Sequence, residues 1–112
     1  MVEKITLNRL QTELDGGNVT LVEALAPLYY EDAHLPGAIN IPHDRVDELA
    51  PKLLPDKDAR IVVYCANGPC QNSEIAATRL AKLGYTSVVD YHEGKAEWIA
   101  AGLPVERSAA AA

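Results

Sequence analysis

The run Arg60-Ile61-Val62-Val63-Tyr64 constrains the fold more than any other stretch of the sequence. It is apolar and β-branched without alternation, so it has no face suited to water and reads as a strand covered on both sides. Three further segments share that character. Asn18 to Glu23 follows a Gly16-Gly17 turn and reads as a buried strand ending near Glu23. Ser87 to Tyr91 reads as another, and Pro36 to Pro42 brackets one short extended segment. Helical spacing separates these runs. Ile5, Leu7, Leu10 and Leu14 predict a helix of about two turns capped by Thr6 or Asn8. Tyr29 to Leu35 predicts a short helical turn. Val46, Leu49, Leu53 and Leu54 predict a helix that Pro51 ends or kinks. Ile75, Ala76, Leu80 and Leu83 predict another from Ser73, stopped by a left-handed cap at Gly84. A last helix follows Gly94, carries Trp98, and stops at Gly102 and Pro104. Regular alternation of this kind predicts a single α/β domain with a mostly parallel central sheet and helices on both faces.

The 112 residues suit one domain with a sizeable core. A net charge of -6 excludes a broad basic surface, so nucleic acid is not an expected partner. With no Phe in the chain, the expected core is Leu, Val, Ile and Ala packed without large rings. The first residues show neither a basic start nor a long apolar run, and no stretch approaches the length needed to span a bilayer. The expected setting is therefore cytoplasmic, away from membranes, with thiols kept reduced. The domain is expected over residues 3–106, followed by a disordered tail at 107–112.

Ligands of open α/β sheets bind beyond the carboxyl ends of the strands, and Cys65 stands at such an end. The loop Cys65-Ala66-Asn67-Gly68-Pro69-Cys70-Gln71-Asn72 leads from that strand to the next helix. Unpaired amides of the loop and first helical turn could converge on the sulfur and lower its pKa. Asn72 or Ser73 suits the N-cap, and Gly68 permits close backbone approach. Other readings of Cys65 remain open at this point. It can be a small buried core residue, half of a disulfide with Cys70, or a metal ligand. The last lacks a second ligand pair, since His34, His43 and His92 are scattered, so neither metal nor other cofactor is expected.

Taken together, His34-Leu-Pro-Gly-Ala-Ile-Asn-Ile-Pro42, the Ile61 to Cys65 run, Ser73 to Tyr85, and Val88 to Glu106 resemble the single-domain rhodaneses, or sulfurtransferases. The resemblance spans nearly the whole chain. It implies that Cys65 takes a sulfane sulfur from a donor such as thiosulfate, forming a persulfide. The persulfide then passes its sulfur to cyanide, a small thiol, or a protein acceptor. It also implies that the amides of Ala66, Asn67, Gly68, Pro69, Cys70, Gln71 and Asn72, so far as each has an N–H, form the cradle for that sulfur. His34 belongs to the structural part of the motif.

Departures from the family pattern are specific. Many rhodanese loops read Cys-x-x-Gly-x-Arg-Ser, whereas no Arg or Lys lies between Cys65 and Ser73. The loop looks closer to a subgroup with a Cys-x4-Cys pattern. Helix-end amides alone are then expected to lower the Cys65 pKa, with weak binding of dianionic thiosulfate. Glu23 stands where the family has an Asp, and Leu25 replaces an Arg two residues on, which removes a conformational ion pair or a substrate-side charge. Cys70 can resolve a Cys65 persulfide or sulfenic acid. Asp44 to Leu49 is expected to be a solvated acidic face, His43 and His92 surface or edge residues, with His92 near the active-site side, and Trp98 a packing residue. An alternative to sulfur transfer is a non-catalytic binding or redox-sensing module that uses Cys65 and Cys70. A phosphatase on the same scaffold would need the missing loop Arg.

Overall fold

The computed structural model of the protein describes residues 2–107, so most of the expected tail lies outside the described residues. Nine elements follow the predicted order: α1 (Leu7–Gly16), β1 (Val19–Glu23), α2 (Pro27–Asp32), β2 (Ile39–Asn40), α3 (Val46–Leu53), β3 (Arg60–Tyr64), α4 (Asn72–Lys82), β4 (Ser87–Tyr91) and α5 (Gly94–Ala100). The four strands form one sheet in the order β2-β1-β3-β4, and every pairing is parallel.

β3 is central, and its alternating side chains divide the core in two. Ile61 and Val63 pack with Val46 and Ala50 of α3 and Ala76, Ala77 and Leu80 of α4. Val62 and Tyr64 pack on the opposite face with Leu10 of α1 and Trp98 of α5. Burial on both faces is what the unbroken apolar run requires.

The expectation of a core without large rings is wrong. Tyr64, Tyr85, Tyr91 and Trp98 are all buried. Each brings a polar atom that finds a partner, as burial demands. Tyr85 donates to the carbonyl of Leu54 at 2.6 Å, Tyr91 to Glu97 Oε1 at 2.7 Å, and Trp98 Nε1 to the carbonyl of Pro104 at 2.7 Å. Tyrosine thus does the space filling that phenylalanine does elsewhere, and pins a loop or helix as well.

Thr6 caps α1 by accepting from the amide of Arg9. Gly84 (φ +101°) allows α4 to close with Gly84 N–H donating to Ala81 O and Tyr85 N–H to Leu80 O, both at 3.1 Å; these are the two bonds of a Schellman cap. Pro51 does not end its helix. α3 runs on to Leu53, because only the exposed Asp47 carbonyl loses a donor and the Leu54 amide still bonds Ala50 O at 2.8 Å. Asp44 to Leu49 is not simply a solvated face either, since Asp47 receives two 2.6 Å hydrogen bonds from Arg79 and ties α3 to α4. None of the described helices is long and apolar enough to cross a membrane.

Candidate active site

The chain leaves β1 toward β2 and leaves β3 toward β4, so the carboxyl ends of β1 and β3 flank the point where the strand order reverses. A crevice at that point is the standard ligand position of open α/β sheets. Cys65 stands at that reversal point, directly after β3.

The Cys65 residue is fully buried, and Cys70 is partly exposed. Both thiols are free. The Cys65 S–H faces the carbonyl of Cys70 at 3.5 Å and the Ser73 hydroxyl at 3.5 Å. Ser73 is not the N-cap. That position belongs to Gln71, which makes no side-chain capping bond, while Ser73 lies inside the first turn with its hydroxyl turned to the sulfur. Sequence reasoning treated it only as a cap, because Ser ahead of an apolar helix has that meaning far more often.

Two influences compete at the thiol. Burial, followed by the neighbouring Cys70 thiol, raises the Cys65 pKa; the Ser73 hydroxyl and amide lower it, and the raising influences win. The expected net lowering by helix-end amides is therefore not realised in this resting geometry. Helix amides help, but a thiolate beneath the loop has lost the solvation of water. The Cys70 amide is also unavailable as a donor to sulfur, since it bonds Asn67 O at 3.1 Å and Asn67 Oδ1 at 3.2 Å, and Pro69 has no N–H. Ala66, Asn67, Gly68, Gln71 and Asn72 remain as the positions whose amides can face a ligand.

The start of α5 holds the loop in place, and this was not visible in the sequence. Lys95 N–H donates to Cys65 O at 2.9 Å, and Ala96 N–H to Ala66 O at 2.8 Å. Gly94 makes that approach possible. Its φ is +72°, and a Cβ there would stand 2.5 Å from Cys65 O and 3.0 Å from Asn67 N, so only glycine fits.

Lys95 also supplies the cation that pairs with Glu23. Glu23 is fully buried at the end of β1; it accepts from Tyr64 Oη at 2.8 Å and pairs with Lys95 Nζ at 3.0 Å. Lys95 Nζ further donates to the carbonyls of Tyr29 at 3.1 Å and Ala33 at 2.6 Å. The ion pair expected to disappear with Leu25 is thus present with a partner from α5. Tyr64 Oη accepts from the Leu35 amide at 3.0 Å, which carries the network into the His34 to Pro42 motif.

Within that motif, His34 and Asn40 hold the backbone around them. The His34 ring stacks on Tyr30 with centroids 3.8 Å apart, and its Nδ1 donates to the Tyr30 carbonyl at 2.8 Å. The His34 backbone pairs with Glu106, and Asn40 Nδ2 donates to Leu25 O at 2.8 Å. His43 lines a groove of about 880 Å³ between α3 and α4, which meets the Cys65 loop at Gln71 but does not have Cys65 in its wall. Ile75 also lines it and is half exposed, so its place in the predicted apolar stripe is taken by Ala77. His92 follows the edge strand β4 and lies half-buried, with Nδ1 3.9 Å from Asp90 Oδ2.

Known proteins resemble this chain in sequence and in fold. The chain is 36% identical over 107 residues to the HTH-type transcriptional regulator Rv0324 of Mycobacterium tuberculosis, covering 96% of this chain and 46% of the regulator. It is 37% identical over 67 residues to the thiosulfate sulfurtransferase PspE of Escherichia coli, covering 60% of this chain and 62% of that protein. It therefore spans only about half of the first relative's length and less than two thirds of the second's. Among solved structures, the BH2092 protein of Bacillus halodurans superposes with a TM-score of 0.85 at 24% identity, over 95% of this chain and 77% of that one. The Alr3790 protein of Anabaena gives 0.79 at 27% identity, over 92% and 80%. The family model described as "Rhodanese-like domain" matches residues 6–101, from the cap of α1 to the end of α5. With a parallel sheet, a cysteine at its switch point and the His34 to Pro42 motif bracing the adjacent strand, the chain belongs to the rhodanese-like domain family.

Proposed function

We propose that the domain over residues 3–106 carries sulfane sulfur on Cys65. The observation that supports this best is the position of one free thiol at the strand-order reversal, beneath a loop whose start is clamped by α5 and whose end is the N-terminus of α4. In the first half-reaction the Cys65 thiolate attacks the outer sulfur of a donor such as thiosulfate. An S–S bond forms at Cys65, the donor's S–S bond breaks, and sulfite leaves with the electron pair. In the second, an acceptor thiolate or cyanide attacks the terminal persulfide sulfur and Cys65 departs as thiolate. Splitting the transfer in this way is nucleophilic catalysis, and the amides of Ala66, Asn67, Gly68, Gln71 and Asn72 hold the anionic sulfur as an oxyanion hole holds oxygen. Acceptors include a small thiol, cyanide or a sulfur-accepting protein, in a cytoplasmic setting. The loop holds no guanidinium, so thiosulfate binds weakly and a less charged donor loads the site better.

Cys70 supports a second reading. Its thiol neighbours that of Cys65, so it can attack the inner sulfur of the Cys65 persulfide, expel hydrosulfide and leave a disulfide. A redox-sensing module would use the same pair without passing sulfur on. Intact-mass measurement after a sulfane donor, and again after an acceptor, separates the readings. Sulfur carriage adds the mass of one sulfur atom to the wild type and to Cys70→Ser but not to Cys65→Ser, and the acceptor removes it. An unchanged mass with every donor tried rules it out, and a disulfide without sulfur passed to an acceptor favours the redox module.

A further inference from the structure

The period-two alternation that places Ile61 and Val63 toward α4 also carries Cys65 to that side of the sheet. On β4, Asp90 stands beside Val63 in register, with Val89 and Tyr91 on the opposite face. Asp90 is 1% exposed, and neither of its carboxylate oxygens has a hydrogen-bond partner among the described residues. A buried carboxyl left unpartnered is costly, and such groups concentrate where chemistry needs them. Its backbone is held firmly, with Asp90 N–H donating to Glu3 O and Ile5 N–H to Asp90 O, both at 2.9 Å.

The groups around the carboxyl come from three elements. Ser73 of α4 is fully buried, and its hydroxyl also touches Cys65 Sγ at 3.5 Å. His92 lies beyond the end of β4, with Nδ1 3.9 Å from Asp90 Oδ2 and without a hydrogen-bond partner among the described residues. Lys4 on the N-terminal segment and Glu74 on α4 are the more distant charges. Burial raises the Asp90 pKa; the Ser73 hydroxyl, His92 and Lys4 oppose that rise, and Glu74 adds to it. A carboxylate raised from its ordinary range is a better match for a proton from a thiol.

We propose that Asp90 receives the Cys65 proton through the Ser73 hydroxyl, which makes Asp90 and Ser73 the internal base of a site whose loop has no cation. The Cys65 S–H proton goes to Ser73 Oγ, and the Ser73 O–H proton goes to an Asp90 oxygen. One negative charge moves from carboxylate to sulfur, and nothing is oxidised or reduced. Ser73 Oγ and the Asp90 carboxylate are not hydrogen-bonded in the structure, so the Ser73 hydroxyl turns toward the carboxylate to complete the second leg of the path. When an acceptor releases Cys65 as thiolate, the proton returns along the same path. Ser73 touches the reacting sulfur; Asp90 acts through it as a positioning and proton-holding residue. The half-exposed His92 faces the carboxyl from the solvent side. The assignment rests on Cys65 being the nucleophile of the proposed function.

The test is the pH dependence of Cys65 alkylation by iodoacetamide, read by mass spectrometry on the Cys65 peptide in a chain that carries Cys70→Ser and is otherwise wild type, so that the neighbouring thiol acts on neither the label nor the Cys65 profile. Two coupled acids sharing one proton titrate in two macroscopic steps. This parent chain is expected to show two steps with a plateau of partial reactivity between them, and Asp90→Asn in it a single step. Ser73→Ala is expected to lower the plateau about tenfold, the worth of one hydrogen bond to a charged group, and Ser73→Thr to restore it. His92→Gln keeps both steps. A single step in the parent chain, two steps retained in Asp90→Asn, or a lower step that vanishes in His92→Gln would overturn the proposal. The readout is independent of sulfur transfer. Loss of persulfide loading with an intact two-step profile would end the carrier reading alone, whereas normal loading with a one-step profile would end only the Asp90 proposal.

Discussion

Replacing either member of the Glu23–Lys95 pair should have unequal consequences. At 3.0 Å and an effective dielectric of about 20, the attraction is about 5 kcal/mol before desolvation is charged against it. Glu23 is fully buried, whereas the Lys95 side chain keeps 12% of its exposure and two carbonyl partners. Lys95→Met therefore strands a carboxylate with Tyr64 Oη as its remaining donor, a situation that costs about 3–5 kcal/mol. For a chain of this size that corresponds to a melting temperature lower by about 12–20 °C. Glu23→Gln leaves an amide whose oxygen still accepts from Tyr64 and an ammonium that still donates twice, so its cost is about 1–2 kcal/mol. Urea unfolding followed by Trp98 fluorescence measures both, and the double variant gives the coupling between them. Because Trp98 is the only tryptophan and is buried, the signal reports the core beside α5. A Glu23→Gln cost equal to or above that of Lys95→Met would refute the argument, since it would mean that burial of Glu23 is not what makes the pair necessary.

Three other outcomes are expected. Gly94→Ala should destabilise by about 1–3 kcal/mol through its φ alone and, because its Cβ would collide with Cys65 O, should also abolish persulfide loading; normal loading in a folded variant would show that the clamp by α5 does not set the loop. The Arg60 hydrogen bond holds the Glu13 carboxyl below the usual range, so this pair stabilises the fold above the unfolded carboxylate pKa of about 4.3 and loses that contribution as pH falls through the lower folded value. Arg60→Leu should accordingly show its full deficit in urea midpoint at pH 7 and a shrinking one in strong acid. Asp90 has the opposite sign: its raised folded pKa means stability greatest below the unfolded value and lost as pH rises through the folded one. Asp90→Asn should then raise the melting temperature at pH 7, with the gain fading in acid, and a loss of stability that is the same at every pH would contradict it.

The helices and strands were legible because each carries its own period. β3 and α4 follow from contiguous residues, and Gly84 marks the end of α4 because a left-handed cap is a local demand. Cys65 was legible for the same reason, as a thiol at a strand end, helped by the His34 to Pro42 motif. Pro51 misled because its cost depends on which carbonyl loses a donor, here an exposed one. Core tyrosines were missed because a phenol is buried only if a distant group accepts its proton, as Leu54 O does for Tyr85.

By itself, then, the sequence determined the element order, the parallel class of sheet and the cysteine at its carboxyl edge, since local periodicity and turn chemistry specify these. Tertiary structure decided what surrounds that cysteine. Lys95 meets Glu23 across 72 positions, Gly94 lies under the Cys65 carbonyl, and Ser73 turns from cap to sulfur contact. Each is a contact between segments remote in the chain or a choice between two local roles, and no pattern along one segment encodes the distance to another. Charge at the site followed the same rule: a loop without Arg or Lys looked unsupported in sequence, and folding brought it a clamp from α5 and a buried carboxyl from β4.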